Sequence, residues 1–373
     1  MSQERIAIIC NGVVPGSNVP GGAQGLRARG LQRGLQALGY EVDIVTMANI
    51  VHSQMERWDS PNVRIPGYWR LLQPQPAPKV INRSYGTVIM PNWAVFPQFR
   101  PRHDTQLIYD FFSATQVEHS FITDAETLRE RRETKLEVLR HASGFIGNGV
   151  GRAEYGANFL RENGLGDHDV VSVRLTAEGL PRSVAGDGPF RIFAGGFDQP
   201  WTQGVTPEIL AQIAACTGAE IVTIGLGRNL HLDSNAAALA ALARNQHGPG
   251  RVLGYPPAPS QVYNRLNASC YVALDVFKYN AERAVSYSTR AVNALSNNCP
   301  VITMSFTEIG QIVKELKCGW VLDELSEDAL IALLREIESD RDEINRRAAN
   351  TRLFQEQYGD PVTEARGLAE LLT

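Results

Sequence analysis

Short buried-strand runs alternate with helix-patterned segments along most of this chain, and that alternation leaves few folds open. The runs are Ile6–Cys10, Val42–Thr46, Thr87–Met90, Gln106–Tyr109, Gly144–Ile146 and Val170–Val173. A second series follows with Phe190–Ala194, Glu220–Ile224, Arg251–Leu253, Tyr271–Leu274, Pro300–Met304 and Trp320–Leu322. Helical patterns lie between many of them, among them Gln24–Leu38, Ala125–His141, Pro207–Cys216, Ser260–Leu266 and Glu308–Leu316. Strands that alternate with helices make βαβ units and parallel sheets, so the class is α/β. With 373 residues the chain is long enough for about two such domains. The segment Arg182–Pro189 reads as a linker, which predicts a first domain over 1–184 and a second over 185–356. The end of the chain is helix-patterned from about Glu327 to Leu372, broken at Gly359-Asp360-Pro361. Its last helix, over about 357–373, is expected to pack back on the first domain. The proline-rich stretch Gln73–Pro78 reads as a surface loop.

A net charge of −4 argues against a general polyanion-binding surface and leaves a local basic groove open. The five cysteines, Cys10, Cys216, Cys270, Cys299 and Cys318, are scattered and show no CxxC spacing. They read as reduced, buried thiols of a cytoplasmic protein, and a zinc site is disfavoured. No apolar run reaches 18 residues and no apolar leader precedes the first strand, so stable membrane insertion is not expected, while peripheral membrane contact stays open.

Function is concentrated in residues 282–303. A polar loop carries Glu282, Ser286, Ser288, Thr289 and Arg290, a short helix follows, and then the strand run Pro300–Met304. The polar groups therefore cluster at a helix N-terminus beside a strand of an open α/β sheet. Backbone N–H groups and the helix dipole attract phosphate there, and Arg290 can add a bidentate clamp. Arg290 and Asn293 are three apart and share a helix face, where the amide can hydrogen-bond vicinal hydroxyls. The plainer alternative is an ordinary surface ion pair between Glu282 and Arg290.

Four strand ends carry further candidates. Gly21 and Gly22 open the first long helix, where glycine lets the backbone approach a ligand closely; a merely flexible loop is the alternative. The pattern is not G-x-G-x-x-G, which disfavours a nicotinamide-dinucleotide site. Gly195 and Gly196 follow the first strand of the second domain, as a ligand loop or a tight turn, and Gly225-Leu226-Gly227-Arg228 follows another, its arginine read as solvated. Asp110 ends a strand of the first domain, lining an interdomain cleft or serving as a turn or cap residue. Asp167-His168-Asp169 and Asp340-Arg341-Asp342 are misplaced for a metal–diphosphate site and read as solvated charges. None of the seven histidines has metal-ligand spacing.

Taken in order, these stretches resemble the GT-B glycosyltransferases, in particular retaining enzymes related to glycosyltransferase family four. Pro20–Ala23 and Leu38–Val42 resemble the family's opening "GGA…L…GHEV", and Ala194–Phe197 resembles the start of its donor domain. Cys299–Ile302 resembles "GxPVI", and Glu308 to Gly319 its continuation. Ser286-Tyr287-Ser288-Thr289-Arg290 with Asn293 and Leu295 is similar to a subgroup's "SFRTR…DYLWAGLPV". Leu107–Asp110 is similar to that subgroup's "LYD" and Gly179–Pro181 to its "GLP". The chain departs from the pattern in two places. The stretch Asp198–Gly204 lacks the Arg and Lys that usually hold the diphosphate, and the family's pair of glutamates is broken, Asn293 standing at the ribose-binding position.

The resemblance implies two Rossmann-like domains facing each other across a cleft. It implies transfer of a hexosyl group from a nucleotide-diphosphate sugar to an acceptor hydroxyl, with retention, no metal and no cofactor beyond the donor itself. Arg290, Ser288 and Thr289 would stabilise the diphosphate leaving group, Glu282 would orient sugar hydroxyls, and Gly21–Gly22 would face the diphosphate from the other domain. Asp110 would contact the acceptor or the reacting sugar. The acceptor could be a glycan, a lipid-linked glycan, a small metabolite or a modified nucleobase. An inactive GT-B-like binding or partner protein and a nucleotide-sugar epimerase are the alternatives.

Overall fold

The computed structural model describes residues 5–57, 60–75, 77–91, 101–102, 104–184, 188–195, 203–224 and 250–372. The chain divides into two compact units. Unit 1 takes Met1–Ala177, Val285–Tyr287 and Tyr358–Thr373, and unit 2 takes Glu178–Ala284 and Ser288–Gln357.

Unit 1 is built on seven strands: β1 (Ile6–Ile9), β2 (Val42–Met47), β3 (Trp69–Leu72), β4 (Thr87–Met90), β5 (Gln106–Phe111), β6 (Gly144–Gly147) and β7 (Val171–Ser172). Their order is β3-β2-β1-β4-β5-β6-β7, and every pairing is parallel. Unit 2 repeats the idea with β8 (Arg191–Gly195), β9 (Glu220–Ile224), β10 (Arg251–Tyr255), β11 (Val272–Asp275), β12 (Val301–Met304) and β13 (Gly319–Leu322). Their order is β10-β9-β8-β11-β12-β13, again parallel throughout. In each sheet the strand order reverses beside the first strand, between β1 and β4 and between β8 and β11. At such a switch point the crossovers leave in opposite directions and open a crevice at the carboxyl ends of the strands.

The central strands are apolar on both faces because helices cover both. Successive side chains of β1 go to opposite sides: Ala7 and Ile9 join Val88, Tyr109 and Phe111, whereas Ile6 and Ile8 join Ile44, Ile89 and Ile108. Helix ends follow ordinary capping chemistry. Asp124 accepts from the Glu126 and Thr127 N–H groups, and Thr206 caps a helix that has Pro207 in its first turn and Gly218 as its left-handed C-cap. The first helix, Ala23–Ala37, packs against the last, Pro361–Glu370. The approach is close enough that a Cβ at Gly34 would collide with the Pro361 carbonyl, so only glycine fits there. Asp360 caps the last helix, and Glu364 accepts from the Arg174 N–H at 2.6 Å, which ties it to the end of the sheet.

Some elements depart from the sequence reading. Strand β3 and the helices Ala48–Arg57, Ala77–Ser84 and Val150–Glu162 were not anticipated. The stretch read as a surface loop at Gln73–Pro78 runs into a helix at Ala77, with Pro78 in the first turn, where a missing N–H costs nothing. All five cysteines are free thiols; Cys216 is exposed, and the other four are buried. Burial pushes the Cys10 and Cys299 thiols up to about 12. Among the described residues no helix is long and apolar enough to cross a membrane.

Lys135 is the unusual core residue of unit 1. It is fully buried, its Nζ has no hydrogen-bond partner among the described residues, and the rings of Phe159, Phe111, Tyr109 and Tyr155 lie 4.2–5.8 Å from it. Burial lowers its pKa to about 7 from 10.5, with Glu118 pulling the other way. Above about pH 7 the unfolded chain therefore holds a proton that the folded chain has released. Stability from this group therefore rises with pH from about 7 towards the lysine's ordinary 10.5, and above about 9 the buried thiols oppose it because they ionise first in the unfolded chain. Urea unfolding at intervals across that range is expected to show the rise. Lys135→Met, close in volume, is expected to abolish the rise and lift the unfolding midpoint at pH 7.

Candidate functional site

In unit 2 the chemistry gathers at the carboxyl end of β8, beside the switch point. Gly195 ends that strand with φ +69°, and the pairing with β9 slips in register between Phe193 and Gly195. Its carbonyl accepts from Thr223 Oγ1 at 2.9 Å. A Cβ at this position would lie 2.9 Å from Arg290 Cδ, so the Arg290 side chain runs directly across the glycine. Arg290 is the second residue of the helix Thr289–Ser296. Ser288 caps that helix in an extended conformation, its Oγ accepting from the Ala291 N–H at 3.5 Å, and no acidic residue lies in the first turn. A guanidinium and a positive helix end thus meet at the edge where open α/β sheets hold anions. Thr289 is half-buried at the helix start, and Asn293 lies one turn on, sharing a face with Arg290 and 4 % exposed.

Beneath this edge Tyr263 packs edge-on against Phe193 at 5.1 Å. Burial pushes its phenol up to about 12, with the Arg290 charge opposing and Asp275 reinforcing the shift. Asp275, buried as the last residue of β11, therefore belongs to the same neighbourhood. The sequence reading missed it, although an acid closing an apolar strand run was visible in Val272-Ala273-Leu274-Asp275.

Glu282 sits on the one-turn helix Ala281–Ala284 with its side chain fully buried. Its carboxylate accepts from Arg283, its neighbour in sequence. Arg283 in turn lies over the Phe277 ring at 5.2 Å.

In unit 1 the glycine-bearing loop before the first helix is anchored, not slack. Tyr68 donates to the Pro15 carbonyl at 2.5 Å, and Arg64 Nε donates to the Gly16 carbonyl at 3.0 Å. The Val13 carbonyl passes so near that a Cβ at Gly21 would come within 2.8 Å of it. Gly22 is the N-cap, with no side-chain cap, no acid in the first turn and open space where a Cβ would be. Ser286 also belongs to unit 1, on the segment Val285–Tyr287, where it and Tyr287 are buried and the Tyr287 carbonyl accepts from Asn148 Nδ2 at 3.5 Å.

Asp110, expected to contact the acceptor or the reacting sugar, is held by Arg27. Its side chain is 0 % exposed, and both carboxylate oxygens are taken by Arg27, Nε donating to Oδ2 at 2.9 Å and Nη2 to Oδ1 at 3.0 Å. A carboxylate closed in this way holds Arg27 and does not present an oxygen to an acceptor. Unit 2 thus brings Gly195, Ser288, Thr289, Arg290 and Asn293 onto one sheet edge and one helix. Gly21, Gly22, Ser286 and Asp110 lie in unit 1. Gly196 and Gly225–Arg228 lie outside the described residues. Asp167 is solvated and pairs loosely with Arg161 at 3.4 Å, and Asp340 caps a helix through the Glu343 N–H. Among the described residues no three acidic, histidine or cysteine side chains converge as a metal site.

No protein-family model matches the sequence, and no curated protein does. Solved structures do match it over nearly their whole length. Sucrose-phosphate synthase from Thermosynechococcus elongatus is 16 % identical, covers 99 % of this chain and 98 % of its own, and has a TM-score of 0.73. Anabaena HepE in complex with UDP-glucose is 15 % identical, with 99 % of each chain covered and a TM-score of 0.67. An alpha-glucosyltransferase in complex with UDP-glucose and DNA containing an abasic site is 10 % identical, with 100 % of each chain covered and a TM-score of 0.68. These neighbours are GT-B glycosyltransferases, and the chain shares their fold of two Rossmann-like α/β units.

Gly195→Ala would force a side chain into the left-handed region, at roughly 1–2 kcal/mol, and into the Arg290 side chain. Urea denaturation is expected to show a loss of at least that size, and an unchanged midpoint would mean that the backbone at the β8 edge is not as described.

Proposed function

We propose that this chain is a retaining glycosyltransferase that moves a hexosyl group from a nucleotide-diphosphate sugar to an acceptor hydroxyl, in the cytoplasm and without an essential metal. The observation that carries the reading is Arg290 lying across Gly195 at the β8 switch point, with a helix N-terminus behind it. The shared fold supports it, since HepE and the alpha-glucosyltransferase are each in complex with UDP-glucose. In the reaction the bond between the sugar's anomeric carbon and the diphosphate breaks, its electron pair staying on the diphosphate. The acceptor oxygen bonds to that carbon and gives up its proton. Negative charge grows on the leaving group as the bond lengthens, and fixed positive groups aimed at it lower the barrier. Arg290 and the helix start at Ser288–Thr289 are such groups. Gly195 lets the chain approach them, and Gly21 and Gly22 present the open start of the first helix as unit 1's counterpart. Asn293 takes the ribose, and Glu282 orients sugar hydroxyls once Arg283 yields an oxygen of its carboxylate.

A second reading is nucleotide-sugar binding without turnover. It is favoured by one feature, the Glu282 carboxylate sealed by Arg283. Release of UDP from UDP-glucose, followed in the native protein, separates the two.

Three outcomes are expected. UDP binds, and Arg290→Ala weakens it by roughly 1.5–3 kcal/mol in calorimetry, the range for a charge-assisted hydrogen bond; equal affinities would refute the assignment. Turnover persists in EDTA, because among the described residues no ligand cluster gathers; loss on chelation with recovery on adding magnesium or manganese would show otherwise. Asn293→Glu replaces an amide that has one acceptor oxygen with a carboxylate that can accept from both ribose hydroxyls. It should tighten ribonucleotide binding and leave 2′-deoxynucleotide binding nearly alone, and equal effects on the two would mean that residue 293 does not meet the ribose.

A further inference from the structure

We infer that Arg27 and Asp110 are a positioning pair that sets the first helix, and with it the Gly21–Gly22 turn, for the donor's phosphates; the inference rests on the glycosyltransferase reading. Arg27 is five residues into the Ala23–Ala37 helix from its Gly22 cap, so its Cα sits about 7.5 Å along the axis from that turn. Its guanidinium spends three nitrogens on two other parts of the sheet. Nε and Nη2 grip Asp110, the next-to-last residue of β5, and Nη1 donates to the carbonyl of Val173, just past β7, at 2.5 Å. A crossover helix ordinarily lies over the two strands it connects, here β1 and β2. This side chain instead ties it to β5, two places beyond β1 in the sheet, and to the end of β7.

The pair does not read as a stability device. Both side chains are almost wholly removed from water, at 2 % and 0 % exposure, and the desolvation of two charges offsets most of their attraction. What a planar fork on a carboxylate supplies is geometry, because two parallel hydrogen bonds fix angle and distance together. The helix needs such a fix. Its inner face carries glycines where other segments press on it. A Cβ at Gly25 would strike the Val13 carbonyl, and one at Gly30 would come within 2.7 Å of Thr176 Oγ1. Leu31 and Leu35 pack this helix into the core without fixing direction, and Arg27, on the same side as Gly30 and Gly34, adds the directional contact. Asp110 therefore acts through Arg27 and the helix and does not touch substrate.

The test compares Arg27→Lys, which keeps the charge and loses the fork, and Asp110→Asn with Asp43→Asn. Asp43 is also a buried acid of unit 1, accepting from Arg70 Nε at 2.7 Å and Tyr85 Oη at 2.9 Å near the start of β2, away from the carboxyl edge. UDP release from UDP-glucose is measured well below each melting temperature and expressed per UDP-binding site counted by calorimetry, which removes any loss through unfolding. Arg27→Lys is expected to lower turnover per site on the order of 10- to 100-fold, the scale of an ångström's misplacement, with UDP affinity changed by less than about threefold. Asp110→Asn should follow wherever it folds. Asp43→Asn should melt earlier yet turn over normally per site. If Arg27→Lys matches the native protein per site, the pair is only structural and this inference fails while the transferase reading stands. If the native protein binds UDP but releases none from UDP-glucose, or binds no UDP, both fail.

Discussion

A guanidinium shielded from water organises unit 1. Arg27 joins a helix, the end of β5 and the segment after β7 through hydrogen bonds of 2.5–3.0 Å to Asp110 and the Val173 carbonyl. The elements that carry these groups are far apart in sequence, and no short-range preference brings them together. Once they are joined, the segment after β7 runs on to Thr176, which presses on the same helix at Gly30. The last helix then closes over Gly34, held at its own start by Asp360 and at Glu364 by the Arg174 backbone. Interior glycine costs a helix roughly 0.8–1 kcal/mol per residue relative to alanine, so three such positions in one helix need a compensation, and close backbone packing is what the structure offers.

The two halves of the chain solve the same architectural problem with different polar hardware. In each sheet the order reverses beside the first strand, which opens a crevice at the carboxyl ends. In unit 1 the first strand leads into an anchored loop and an uncapped helix, where the backbone itself is the polar group on offer. In unit 2 the first strand ends in a left-handed glycine, and the polar group is Arg290, delivered from the Thr289–Ser296 helix. The glycine and the arginine depend on each other. Any larger residue at 195 would displace the side chain that supplies the charge.

Much of the frame was legible in the sequence because parallel strands covered on both faces read as uninterrupted apolar runs. Every central strand was visible in that way. Strand β3 was not, since its run Trp69-Arg70-Leu71-Leu72 lies at the sheet edge and is only partly buried. The helix Val150–Glu162 was obscured by Gly151 and Gly156, which look like breakers until their close neighbours, Val285 and Phe111, are known. Side-chain roles were less legible than elements. That Asp110 closes a strand could be read, but that both its oxygens belong to a residue 83 positions away could not. That Arg283 would meet the Glu282 carboxylate was not read from the sequence either.

The Glu282–Arg283 pair bears on the electrostatics of the site. The enzymes this sequence resembles place an Arg and a Lys after the first donor-domain strand, and the corresponding stretch, Asp198–Gly204, contains neither. On the proposed reading, a diphosphate at this edge would need its positive charge from another residue. Arg283 is poorly suited, because its guanidinium is already bound to a buried carboxylate and laid over Phe277. Arg290 sits at the strand end itself, in the first turn of the Thr289–Ser296 helix. Its charge is felt by the buried Tyr263 phenol, where it opposes Asp275.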